Sequence, residues 1–321
     1  MGTIEKALKR QLETNNTSDE VISDKNNSSQ ASFGNQSEKT DNDNLETSSV
    51  DITEFEHDLL SRASEKEQQS NNHPNGRFSK EVEIDLEQLK NTGVITSLES
   101  RNLLSEEFRE IKRPLLQNIK GKGAHQIERA NLIQITSSVQ GEGKTFTSIN
   151  LAMAFAMEMD YRVLLVDADV IKSSVSKTLG IKTEYGLTDY LQGKVTELSE
   201  VMLKTNIPKL SVLPAGRLHD LSAELLNSEF MDNLIKELSV RYKDRVVIID
   251  SPPLLETNES RIIAHKVGQI VFVVEHNKTA QTSIKSALSL LDPEMVIGLV
   301  LNKNRAGDKS SYYYGYGANA E

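Results

Sequence analysis

Ser138-Val139-Gln140-Gly141-Glu142-Gly143-Lys144-Thr145 stands between an apolar run at 132–136 and a helical stretch at 144–159. The order strand, glycine-bearing loop, Lys-Thr and helix is that of a phosphate-binding (Walker A) loop, with Ser138 in the place usually given to the first glycine. Gly141 and Gly143 let the backbone curl so that several N–H groups point inward. The helix opening near Lys144 adds the positive end of its dipole. Lys144 is expected to reach the β- and γ-phosphates of a nucleotide, and the Thr145 hydroxyl to bind Mg²⁺. Contacts to the nucleotide, ATP in this reading, are expected from Ser138, Gln140, Gly141, Glu142, Gly143, Lys144, Thr145 and Phe146.

Outward from this loop the texture repeats. Apolar, β-rich runs at 163–166, 210–213, 246–249, 270–274 and 296–301 alternate with helical stretches at 228–242, 256–267 and 278–291. Near-continuous apolar strands alternating with helices indicate a parallel sheet covered on both faces. The expected class is α/β, a mostly parallel sheet of the P-loop NTPase type with helices on both faces, preceded by a long disordered N-terminal region. Two of the runs end in acid: Val163-Leu164-Leu165-Val166-Asp167-Ala168-Asp169 and Val246-Val247-Ile248-Ile249-Asp250-Ser251-Pro252-Pro253. Ligands of open α/β sheets sit beyond the carboxyl ends of the strands. A lone aspartate there is an ordinary turn residue or cap; three of them beside a phosphate loop point to one shared nucleotide. Thr145, Asp167 and Asp250 are the expected Mg²⁺ ligands, since Mg²⁺ takes one or two carboxylates plus phosphates and waters. Either Asp167 or Asp169 is expected to orient or deprotonate an incoming nucleophile, beside Lys144 as the third catalytic group. Lys172 reads as a phosphate contact or a solvated lysine. Asn302, closing the 296–301 run, reads as an adenine contact or a turn residue.

Composition narrows the field. The 321 residues include no Cys, which excludes a disulfide scaffold, thiolate zinc sites and cysteine nucleophiles. A net charge of −10 argues against nucleic acid as a partner, because phosphate neutralisation needs clustered Lys and Arg. That charge is uneven: residues 1–80 carry 9 Lys+Arg against 15 Asp+Glu. Within 13–75, 21 of 63 residues are Asn or Ser and nine are large and apolar, so this segment reads as a disordered acidic linker. At 1–12, Ile4, Leu8 and Leu12 fall on one helical face, a short docking helix or else a frayed terminus. Residues 76–124 form an extension in which Val82, Ile84, Leu86 and Leu89 suggest a brief ordered stretch. A helix follows, expected to be capped by Ser105, opened by Glu106 and Glu107, lined by Phe108, Ile111, Leu115 and Ile119, and kinked or restarted at Pro114. The P-loop domain is expected over 125–305 and a flexible tail over 306–321. No apolar run approaches the ~18 residues of a membrane span, and the N-terminal residues carry no h-region of a secretory signal. The expectation is a cytoplasmic protein brought to a membrane only by a partner.

Four of the eight tyrosines, Tyr312, Tyr313, Tyr314 and Tyr316, crowd the tail. A sticky terminus or a carbohydrate-binding patch are the plain readings. Beside a Mg·nucleotide site they are also ready phosphoacceptors, given a base to activate the phenol.

Walker A, Asp167-Ala168-Asp169, Asp250-Ser251-Pro252-Pro253 and the terminal tyrosines, in this order, resemble the bacterial tyrosine kinases. The resemblance extends to the cytoplasmic autokinases of exopolysaccharide and chain-length-determinant loci, through Ile4-Glu5-Lys6-Ala7-Leu8 and the helix from Glu106 to Leu116. It implies ATP- and Mg²⁺-dependent autophosphorylation of the tail in trans, in ring-like homo-oligomers that regulate exopolysaccharide polymerisation and export. It also implies a membrane partner whose cytoplasmic tail activates the kinase at the inner face of the plasma membrane, and a cognate tyrosine phosphatase. The ring motif of that family, Glu-x-x-Arg-x-x-Arg, reads Glu106, Arg109, Lys112 here, with Arg113 one place late. The acidic pair continues Val170-Ile171-Lys172-Ser173 where the family usually has Arg and Pro. Partition and division-site ATPases are one alternative, but they carry a lysine where this chain has Val139. A non-catalytic nucleotide-binding scaffold is the other.

Overall fold

All six apolar runs become strands of one sheet in the computed structural model, which describes residues 80–96, 103–123, 126–219, 221–240 and 244–304. The expected docking helix at 1–12, the linker at 13–75 and the tail with Tyr312, Tyr313, Tyr314 and Tyr316 lie outside the described residues. The strands are β1 (Glu81–Val82), β2 (Leu132–Ser137), β3 (Arg162–Asp167), β4 (Leu203–Thr205), β5 (Leu210–Leu213), β6 (Arg245–Asp250), β7 (Gln269–Glu275) and β8 (Val296–Asn302). Their order is β1-β4-β5-β3-β6-β2-β7-β8. Every pairing is parallel except β4 with β5. The helices are α1 (Leu86–Asn91), α2 (Leu103–Ile119), α3 (Lys144–Ala156), α4 (Ser174–Thr178), α5 (Leu187–Leu191), α6 (Leu198–Val201), α7 (Ser222–Leu226), α8 (Glu229–Val240), α9 (Glu259–Ala264) and α10 (Gln281–Leu288).

The runs of the inner strands carry no polar alternation because both faces of the sheet are covered there, whereas β8, at the edge, leaves Leu299 and Leu301 exposed. Val163 and Leu165 of β3, with Val246 and Ile248 of β6, pack with Ile149 and Met153 of α3. Their neighbours Leu164, Val166, Val247 and Ile249 point the other way, into a cluster with Leu234 and Leu238 of α8. Each such fully buried aliphatic side chain contributes roughly 1.5–3 kcal/mol.

The described residues of the extension, 80–96 and 103–123, are woven into this body. β1 pairs with β4, and Ile84, Leu89, Phe108 and Leu115 share the core cluster of α3. Asn150 of α3 accepts the Ile95 N–H at 2.8 Å. The helix α2 departs from expectation at its start and its middle. It begins at Leu103, so Ser105 is a buried residue of the first turn and not the cap. It also continues through Pro114 to Ile119 without restarting. The expected apolar face holds: Phe108 and Leu115 are buried, and Ile111 and Ile119 pack against the same core. Among the described residues no helix is long and apolar enough to cross a membrane.

Candidate active site

The site lies where β2, β3 and β6 end. β6 runs between the other two, and its register sets Asp250 opposite both Ile135 and Asp167. The loop after β2 curls into α3, and a cavity of about 280 Å³ opens between it and the segments that follow β3 and β6. Gln140, Lys144, Thr145, Phe146, Asp169 and Pro253 are among its walls.

The loop is held by this chain's own side chains. Gly143 has φ +100°, and a Cβ there would lie 1.9 Å from Asn302 Nδ2, so only glycine fits. Asn302 Nδ2 donates to the Glu142 carbonyl at 2.8 Å, and Lys303 Nζ donates to the Gly141 carbonyl at 2.6 Å. Asn302 thus braces the loop through its amide nitrogen. Glu142 is a second brace. Its carboxylate accepts the Val139 N–H at 2.9 Å and the Thr279 hydroxyl, and the side chain lies away from the cavity walls. Ser138 is also buried beneath the loop, its hydroxyl without a partner among the described residues. Phe146 serves two sides, lining the cavity and meeting Phe108 of α2 edge to face at 6.3 Å. Gln140 is tied across the cavity: its N–H donates to Glu256 Oε1 at 2.8 Å, and its side-chain oxygen accepts from Lys172 Nζ.

The acidic side is less settled. Asp250 accepts hydrogen bonds from Thr145 Oγ1 at 2.7 Å and Ser148 Oγ at 2.8 Å. Burial still pushes its carboxyl up to about 6, against those two bonds and the charge of Lys144. Asp167 is fully buried. One of its oxygens accepts the Val175 N–H at 3.1 Å, and the other has no partner among the described residues. Burial, then the charges of Asp250 and Asp169, push its carboxyl up to about 8. Asp169 lines the cavity and accepts the Lys172 N–H at 3.2 Å. Burial holds the Lys144 ammonium below its ordinary range although Asp250, Asp169, Glu142 and Glu256 pull it up.

Crowded carboxylates with a free buried oxygen suit a hard cation with oxygen ligands. Among the described residues no cluster of three His, Cys, Asp or Glu would hold a metal unaided. Thr145 and Asp167 both adjoin Asp250, and such oxygen groups are of the kind Mg²⁺ would take alongside phosphates and water.

Sequence reasoning missed Ser148, Glu256, Thr279 and Lys303. Ser148 had a signal, standing one helical turn after Thr145 and on its face. The others act from elements distant in sequence. Lys112 is the clearest reversal. Expected at a subunit contact, it is buried, and its ammonium donates to the Ala154 carbonyl at 2.9 Å and pairs with Glu158 at 2.5 Å. Glu106 and Arg109 do lie on the surface and pair with each other at 2.5 Å.

A phosphate loop on α3, two acid-tipped strands and a mostly parallel sheet define a nucleotide-binding P-loop domain, and the family model described as AAA domain matches residues 130–292. Tyrosine-protein kinase YwqD of Bacillus subtilis (strain 168) is 31% identical over 226 residues, which is 69% of this chain and 91% of that protein. The putative tyrosine-protein kinase CapB of Staphylococcus aureus is 30% identical over 219 residues, 68% of this chain and 92% of that protein. The crystal structure of the chimerical protein CapA2B2 superposes with a TM-score of 0.57 at 26% identity, covering 70% of this chain and 93% of that one. The chain belongs to the bacterial tyrosine-protein kinases.

Proposed function

We propose that this chain transfers the γ-phosphoryl group of ATP to tyrosine, its first acceptors being Tyr312, Tyr313, Tyr314 and Tyr316 of a neighbouring copy. The observation that carries this reading is the cavity with Lys144 and Thr145 on one wall and Asp169 on another. The phenol oxygen forms a bond to the γ-phosphorus as the bond to the β,γ-bridging oxygen breaks, and ADP leaves with that electron pair. Asp169, on the cavity wall, is suited to take the phenol proton; Asp167, buried behind it, is suited to share a cation with Asp250. Lys144 and the loop N–H groups stabilise charge on the transferred group. Mg²⁺, when bound, neutralises the β- and γ-phosphate oxygens.

Around this chemistry we place a ring-like homo-oligomer that uses Glu106 and Arg109 of α2, with Arg113 supplying the last cation in place of Lys112. The kinase relatives support a setting in exopolysaccharide assembly, at the inner face of the plasma membrane. The cytoplasmic tail of a chain-length-determinant protein would activate the kinase there, and a tyrosine phosphatase would reverse it. Each phosphotyrosine adds about −1.5 to −2 charges, and several together would loosen the ring.

Purified protein incubated with Mg·ATP, with and without that partner tail, should acquire phosphotyrosine within 312–316. Replacing Tyr312, Tyr313, Tyr314 and Tyr316 by Phe should remove most of it. ATP hydrolysis without phosphotyrosine would instead favour a partition-type ATPase, and neither activity would favour a scaffold.

A further inference from the structure

Three large aliphatic side chains are exposed on the loops that bound the cavity. Val139 is 36% exposed, Ile171 55% and Leu255 39%. They come from three separate loops, yet each precedes a member of one polar junction. Val139 precedes Gln140, Ile171 precedes Lys172 and Leu255 precedes Glu256, and Gln140 bonds both Lys172 and Glu256. The Leu255 N–H also donates to the Ser138 carbonyl at 3.2 Å, which draws the segment after β6 onto the loop. The junction therefore ties together the three loops that carry these aliphatics, and Ile171, Pro252 and Pro253 line the cavity itself. Lys172 and Glu256 carry opposite charges and share Gln140 as partner, so the junction presents little net charge. The phosphates of a nucleotide do not call for such a surface. Exposed apolar groups beside a reactive pocket mark a place where something apolar binds.

We infer that Val139, Ile171 and Leu255 form the acceptor platform, which seats the uncharged segment 310–320 of a second copy and selects tyrosines without charged neighbours. The inference rests on the kinase reading above and names what that site prefers. The occupant follows from chemistry. Residues 310–320, Ser-Ser-Tyr-Tyr-Tyr-Gly-Tyr-Gly-Ala-Asn-Ala, contain no charged residue in a chain that is 26% Asp, Glu, Lys and Arg. Tyrosine rings on aliphatic side chains lose little by desolvation, whereas a charge brought onto them would lose much.

The test uses full-length chains and separates enzyme from acceptor. The enzyme carries Phe at 312, 313, 314 and 316; the acceptor carries Lys144→Ala and its native tail, so all phosphotyrosine arises between copies. Ile171→Lys in the enzyme should raise the KM for acceptor at least about tenfold, and by a larger factor than any change in the KM for ATP. Ile171→Gln, which removes the apolar contact without adding charge, should raise the acceptor KM less. An acceptor with Gly315→Asp and Gly317→Asp should be a poor substrate for the parent enzyme and a better one for the Ile171→Lys enzyme. Loss of preference in that direction is something a merely structural lysine defect would not produce. The inference is overturned if Ile171→Lys leaves the acceptor KM unchanged, if it raises both KM values together, or if the acidic tail is treated alike by both enzymes. If the parent enzyme yields no phosphotyrosine at all, the kinase reading falls and the platform with it.

Discussion

Glu142, Asn302 and Lys303 hold the phosphate loop through hydrogen bonds of 2.9, 2.8 and 2.6 Å, whereas the aspartates opposite leave one buried oxygen of Asp167 with no partner among the described residues. The loop and the acids beside the cavity are thus prepared differently. The loop is braced by partners in its own chain. The acids are positioned by the sheet, which sets Asp167 beside Asp250 regardless of their repulsion. The core of β3 and β6 supplies the free energy that keeps these carboxylates together. The difference teaches where ligand binding should show: little on the loop, strongly on the acids.

The largest break is expected from Lys144→Ala. It removes the phosphate-loop lysine from the cavity wall, so on the proposed mechanism tyrosine phosphorylation should fall by about a thousandfold. Radiolabel transfer to the tail, read against an unchanged circular dichroism spectrum, checks it. Next comes Asp167→Asn, which acts on the acids. Asp167 is raised from 3.8 to about 8 and Asp250 from 3.8 to about 6. Carboxylates so raised stabilise the fold fully below their unfolded value, and that contribution is lost as pH rises through the folded value. Without nucleotide and Mg²⁺, the native chain should therefore lose stability from about pH 4 to about pH 8. Asp167→Asn deletes the upper part of that slope. At pH 8 it should be more stable than the native chain, by on the order of a few kcal/mol, while its phosphoryl transfer collapses. Parallel denaturation curves from pH 5 to 8 that differ by a constant amount would refute this account of the acids.

Much of this contrast was legible in the residues. The inner strands were readable because burial on both faces leaves uninterrupted apolar runs. The loop and the aspartates were readable because phosphate and cation chemistry demand those residue types at strand ends. What escaped notice was either short or distant. β1 and β4 span two and three residues, and α4 to α7 four or five, too few for any period to register. The bracing of the loop by Asn302, Lys303 and Thr279 joins residues 137 to 162 positions apart, a proximity that only the completed sheet creates. Asn302 stood out as a strand-closing residue, but its bond to the Glu142 carbonyl could not be read from its position in the chain.

The loop can be broken in its turn. Gly143→Ala places a Cβ 1.9 Å from the Asn302 amide and imposes φ +100° on a residue that avoids it. The strain should cost roughly 1–3 kcal/mol of unfolding free energy, and part of it should appear as weaker ATP binding. Asn302→Gly in the same chain relieves the clash but not the backbone strain. Calorimetric titration with ATP should therefore find the double variant between Gly143→Ala and the native chain. A double variant no better than Gly143→Ala would place the whole cost in the backbone.

The smallest effect concerns Lys112, where motif spacing and helix geometry disagree. Counting in threes from Glu106 puts it at a subunit surface. Counting by the helix period puts it on the face of Phe108, Leu115 and Ile119, at offsets of four, three and seven. The buried ammonium on Ala154 and Glu158 bears out the second count. Ala154 lies in the last turn of α3, where a cation meets free carbonyls and the negative end of the helix dipole. Lys112→Met keeps the stem and removes those contacts. Glu158 is partly exposed, so water can solvate it afterwards and the loss should stay near ~1–2 kcal/mol. The melting temperature should drop by a few degrees while native mass spectrometry returns the same assembly. Arg113→Ala should do the reverse, leaving the melting temperature in place and weakening the assembly. Were the two variants to exchange these phenotypes, Lys112 would have to reach a neighbouring subunit, and the interior anchor would be the wrong description of α2.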